Sequence, residues 1–168
     1  MQLIFLRHAK AEPHSFQLAA AAMGSAVVKP DAERALVEKG RRQIARVVHW
    51  CREREVFPDL ILTSPLRRAL ESAHGVAHGL GLPDPHVVPW LAIGRAGHEA
   101  ISELQAYTGF STVMVVGHEP DFSLILGQLL GCTAGAIPVS KASLIGIDCR
   151  TLVPGRAELQ YCVPNRLM

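Results

Sequence analysis

Aromatic side chains are scarce in this chain, 5% of 168 residues. No run of Lys and Arg interleaved with aromatics occurs, and the formal net charge is only +2. A nucleic-acid partner is therefore not expected, and the small positive excess suits an anionic substrate. The four cysteines, Cys51, Cys132, Cys149 and Cys162, form no CxxC pair. They read as reduced, mostly buried thiols of a cytoplasmic protein. No apolar segment approaches the ~20 residues needed to cross a bilayer. Arg7, His8 and Lys10 follow the first apolar run instead of preceding it, which is the wrong order for a secretory signal. Internal repeats are missing as well. The length suits one domain, residues 1–168, with a real core.

What is present alternates between strand and helix. Short apolar runs at Gln2–Leu6, Leu60–Thr63, Thr112–Val116, Leu144–Asp148 and Ala157–Tyr161 predict strands, with a weaker one near Val87–Val88. Helical periodicity covers Glu38–Arg54, Pro65–Leu80, His98–Thr108 and Asp121–Leu130. Ser64 and Pro65 predict an N-cap and first helical position. The alternation predicts an α/β layer fold with a largely parallel sheet. Pro13 to Ala35, containing LAAAAMGSAVVKP, predicts a loop inserted after the first strand, and no chemistry is assigned to it. The final VPNRLM reads as a tail.

Three of the strands end on reactive residues. The first delivers Arg7-His8, the second Thr63-Ser64 followed by Arg67-Arg68, and the third Gly117-His118-Glu119. Ligands of α/β sheets bind beyond the carboxyl ends of the strands, so neighbouring strands would bring these groups into one pocket. Arg67 and Arg68 fall in the first turn of a helix, where a cation opposes the helix dipole. Two arginines there point to an anion held by both the helix end and the side chains. The guanidinium fork suits a phosphoryl group. A neutral imidazole is a competent nucleophile toward phosphorus when its other nitrogen is fixed by a hydrogen bond, for instance to a backbone carbonyl. A second imidazole can donate to the developing charge. His14, His49, His74, His78, His86 and His98 receive no role. His74 and His78 stand four apart on a helix, but no acidic or cysteine neighbour in sequence supports a metal site.

These motifs have a family counterpart. LRHAKAE resembles the RH signature of the histidine phosphatase superfamily, which includes phosphoglycerate mutases and acid phosphatases. LTSPLRRALES resembles its SP-x-x-R-A motif, and VVGHEP its second-histidine motif. RALVEKGRRQ resembles the RxLTxxG-xxQ segment of the phosphohistidine phosphatase branch typified by SixA. The likeness spans most of the chain except the Ala-rich stretch and the tail. It implies a three-layer α/β/α sandwich of the phosphoglycerate mutase type with a minimal cap, and a phosphohistidine enzyme intermediate. It implies His8 as nucleophile, Arg7 and Arg68 as phosphoryl ligands and His118 as the group completing the pocket. Ser64, Arg67 and Glu119 would line the substrate, Arg67 at the rim. No metal or other cofactor is implied.

Three departures follow. Val37 stands where the branch has Thr, removing a helix cap. PWLAIG stands where mutase-like members carry a general-acid Glu. Glu119 occupies the place of the acid phosphatases' proton donor; that Glu, Glu12 or water are the alternatives as acid, and a solvated loop Glu is the plain reading of Glu119. Without a clear acid, a phosphoramidate is easier to cleave than a phosphomonoester, whose alkoxide needs a proton donor. The expected reaction is hydrolysis of phosphohistidine on a protein, such as a histidine-phosphotransfer domain, releasing inorganic phosphate. The alternatives are a phosphatase of small phosphomonoesters and a non-catalytic phosphate- or protein-binding module.

Overall fold

The computed structural model describes residues 1–13 and 30–168. Six strands form one sheet: β1 (Gln2–Arg7), β2 (Leu60–Thr63), β3 (His86–Val87), β4 (Thr112–Gly117), β5 (Leu144–Asp148) and β6 (Glu158–Val163). Their spatial order is β3-β2-β4-β1-β5-β6. Neighbours from β3 to β1 are parallel, and β5 alone runs against the others. Among the described residues, four α-helices accompany it: α1 (Glu38–Glu53), α2 (Arg67–Leu80), α3 (Ala96–Leu104) and α4 (Asp121–Leu130).

Strand alternation builds the layers. Leu3 and Phe5 of β1 point to one face, where they join Leu104 of α3 and Phe122, Ile125 and Leu126 of α4. Ile4 and Leu6 point to the other, with Ile44, Val47 and Cys51 of α1 and Ala69, Ala73 and Val76 of α2. All four β1 residues are fully buried, each contributing about 1.5–3 kcal/mol of apolar burial. The expected three-layer, mostly parallel sandwich is the fold observed. β1 and β4 each run one residue further than the apolar pattern indicates, because Arg7 pairs with Gly117.

Other boundaries differ for identifiable reasons. α2 begins at Arg67 with Leu66 as N-cap and no side-chain cap, so Ser64-Pro65 is not its start. α3 ends at Leu104 and tightens into a 3₁₀ turn, Gln105–Tyr107. The final residues are not a loose tail. Asn165 is buried, and its Nδ2 donates to the carbonyls of Gln43 and Ala142. The Ala-rich part of Pro13 to Ala35 lies outside the described residues. Its end does not: Asp31–Glu33 form a 3₁₀ turn.

Candidate active site

The register of the sheet assembles the site. Arg7 pairs with Gly117, and His8 N donates to the Gly117 carbonyl at 3.0 Å. His8 and His118 are therefore the next residues on adjacent parallel strands. Their ring centroids lie 5.1 Å apart. Ser64 N donates to Val116 O at 3.0 Å, bringing the end of β2 to the same place. Gly117 is required there, since a Cβ would come within 2.9 Å of the Phe122 ring that packs behind it.

A hydrogen bond to a carbonyl fixes the tautomer of His8, and the Ser64 hydroxyl favours one tautomer of His118. His8 Nδ1 is 2.8 Å from the Ala9 carbonyl. A carbonyl only accepts, so Nδ1 carries the proton and the Nε2 lone pair is free. Ser64 Oγ accepts from Leu66 N at 3.3 Å, so its hydroxyl proton is available to His118 Nε2, 2.8 Å away. His118 Nδ1–H is then a donor. Both rings are nearly inaccessible. Burial, joined by the charges of Arg68 and Arg7, pushes His8 down to about 3. Burial, with His8, Arg68 and Arg7 beside it, does the same to His118. Both are neutral at pH 7, the state a nucleophile needs.

The arginines are held from behind. Arg7 Nη1 donates to Val139 O at 2.8 Å. Arg68 is 1% exposed. Its guanidinium donates to the backbone carbonyl of Asp31 at 2.9 Å and lies 3.1 Å from that residue's carboxylate. Arg7 Nε, Arg68 Nε and His118 Nδ1 are buried with no partner among the described residues. Buried polar groups are ordinarily bonded, so three orphan donors on residues around a free imidazole lone pair mark a site built for an anion.

The remaining candidates separate. Ser64 is buried and orients His118. Arg67 is half exposed and bound to Glu71 at 2.6 Å, an ion pair along the helix. Glu12 spends its carboxylate on the Ala35 N–H, 3.3 Å away. Glu119 is not the solvated loop residue of the plain reading. It is partly buried, accepts from Ser123 Oγ at 3.0 Å, and its carboxyl is pushed up by burial against the opposing effects of Ser123 and Arg7. In the PWLAIG stretch, Trp90 and Leu91 are core residues, and the stretch contains no carboxylate. His74, assigned no acidic neighbour above, lies 3.4 Å from Asp84 in an exposed pair.

A model of the histidine phosphatase superfamily (branch 1) matches residues 3–92, more than half of the chain. The chain belongs to this superfamily. Comparison with curated proteins gives no match. Among solved structures, the protein histidine phosphatase SixA in complex with tungstate is similar, with TM-score 0.82 and 21% identity over 99% of this chain and 98% of that one. The α-ribazole phosphatase from Shigella flexneri gives 0.73 at 19% identity, covering 98% and 97%. A phosphoserine phosphatase variant from Entamoeba histolytica, bound to phosphoserine, gives 0.69 at 13% identity, covering 99% and 98%. At these identities the likeness establishes the fold.

In this superfamily member, several site residues carry no advance signal. Asp31 falls in the stretch to which no chemistry was assigned. Arg68 and Arg34 outweigh its partial burial and hold its carboxyl below the usual range. Lys141 comes from the loop before β5, and its charge acts on His8 and Arg7. The RALVEKGRRQ segment proves to be a latch on the loop after His8. Arg34 Nη1 donates to Glu12 O, and Leu36 bridges Ala11. Gly40 lies so close to the Lys10 carbonyl that a Cβ would collide with it. Gln43 Oε1 accepts the Lys10 N–H at 2.9 Å.

Proposed function

We propose that this protein is a phosphohistidine phosphatase, cleaving the P–N bond of a phosphorylated protein through a covalent intermediate on His8. The His8 Nε2 lone pair attacks phosphorus in line. Arg7, Arg68 and His118 Nδ1–H hold the three equatorial oxygens, and the imidazole of the substrate leaves with a proton supplied by solvent. Water then attacks phospho-His8, releasing inorganic phosphate and restoring the neutral ring. Such a transition state asks for positioning and charge stabilisation. The observation that carries the reading is the free His8 Nε2 beside three unpartnered donors. The P–N preference is supported by the absence of a carboxylate from the stretch after β3 and by the engagement of Glu119 with Ser123. The likeness to SixA supports it as well.

One observation favours a second reading. A partly buried Glu119 with a raised pKa, close to Arg7, has the character of a general acid, which a small phosphomonoester would need. One panel separates the two. Phosphohistidine peptide and p-nitrophenyl phosphate are assayed with wild type, His8→Ala and Glu119→Gln. His8→Ala is expected to abolish turnover of both, together with acid-labile, base-stable labelling of the protein. Glu119→Gln is expected to leave phosphohistidine cleavage within about threefold of wild type. A drop of about 10²-fold or more on both substrates would establish Glu119 as the acid, and faster wild-type turnover of p-nitrophenyl phosphate than of phosphohistidine would favour the monoester reading. Labelling of His8→Ala at the wild-type level would overturn the nucleophile.

A further inference from the structure

Beside the pocket runs a groove of about 910 Å³. Its walls carry Lys39, Arg42 and Arg46 of α1, Lys141 of the loop before β5, and Arg166 near the C-terminus, and no carboxylate lines it. The whole chain has 17 Lys and Arg against 15 Asp and Glu, so five cations with no acid among them are a local concentration. None of the five has an ion-pair partner among the described residues. Lys39, Arg42 and Arg46 recur at helical spacing on one face of α1, a ridge roughly 10 Å long at 1.5 Å per residue.

The groove opens toward the chemistry. Lys141 lines it and also acts electrostatically on His8 and Arg7. The neighbouring Val139 carbonyl holds Arg7. An anionic chain lying along the ridge would thus run past Lys141 toward the phosphoryl cradle. The lining includes no aromatic residue, so it offers none of the stacking platforms that single-stranded nucleic acids use. Carboxylates spaced along a polypeptide fit it better.

We propose that this groove docks an acidic segment of the phosphorylated protein whose phosphohistidine enters the pocket. The proposal rests on the phosphohistidine reading above for its substrate, and on the groove itself for its charge preference. Binding of this kind is salt-dependent and acts on encounter and specificity.

The test has two arms. In the first, a fluorescein-labelled, unphosphorylated Asp/Glu-rich peptide of about twelve residues is titrated by anisotropy against wild type and the triple variant Lys39→Ala, Arg42→Ala, Arg46→Ala. All three side chains are exposed on a helix that tolerates Ala. Binding to wild type at low salt, about tenfold or more weakened in the variant and lost near 0.5 M salt, is expected. Equal binding to both proteins, or none to wild type, overturns the proposal. A labelled single-stranded oligonucleotide of equal charge that binds tighter than the peptide overturns the assigned occupant.

In the second arm, phosphohistidine is presented in acidic and in neutral peptides. Wild type is expected to show about tenfold higher kcat/KM on the acidic one. The variant should lose that preference while keeping its rate on the neutral peptide. A preference unchanged in the variant overturns the docking role. If neither phosphopeptide turns over while p-nitrophenyl phosphate does, the phosphohistidine reading falls, and the first arm alone decides the groove.

Discussion

Asp31 is the residue on which the aim of Arg68 depends. It presents both a backbone carbonyl and a carboxylate to one buried guanidinium. The two residues are 37 positions apart in sequence, and nothing local to either announces the pair. Arg7, His8, Arg68 and His118 were legible because each follows an apolar strand whose end must lie at one edge of the sheet. Asp31 and Lys141 were not, because they arrive from loops with no periodicity. Asp31→Asn keeps the carbonyl contact and removes the charge. It is expected to raise the inhibition constant for vanadate and lower kcat/KM about tenfold, the value of a charge-assisted hydrogen bond. Circular dichroism should be unchanged. An unaltered vanadate constant would show that Arg68 needs no anchor.

At the level of elements, the helix starts carry the instructive errors. Ser64-Pro65 has the composition of a helix start, yet the Ser64 hydroxyl is drawn to His118 instead. A local capping signal was overridden by a contact with His118, just past β4, that sequence spacing does not reveal. Val37, where the branch has Thr, is the N-cap of α1 and supplies no side-chain cap. Val37→Thr is therefore expected to stabilise the protein by about 1 kcal/mol, measured as a higher urea midpoint with unchanged slope. No gain would mean that the exposed N–H groups of α1 are already satisfied by water. Most strands lie within a residue of the apolar runs that mark them, since burial on both faces of a parallel sheet leaves such runs unbroken; β6, an antiparallel edge strand, runs Glu158–Val163 instead of the expected Ala157–Tyr161. The packing of Asn165 under α1 and the loop before β5 was invisible, since VPNRLM has no periodic signature.

The whole molecule stores free energy in its two neutral imidazoles. Each has a folded pKa of about 3 against roughly 6.5 in the unfolded chain. Below that value the unfolded state binds protons that the folded state refuses. The associated stability is fully present above about pH 6.5 and is lost as pH falls from there through about 3. The loss runs at up to about 1.4 kcal/mol per pH unit for each ring. Urea midpoints at pH 7, 6 and 5 should fall more steeply for wild type than for His8→Ala. Parallel slopes would mean that His8 takes up protons in the folded state near its ordinary value.

One turn of α1 looks both ways. Lys39 and Arg42 face outward into the basic groove, Gly40 abuts the Lys10 backbone two positions beyond His8, and Gln43 both lines the groove and accepts the Lys10 N–H. A single thickness of backbone separates the handle from the blade. Whatever grips the outer side bears on the loop that follows His8.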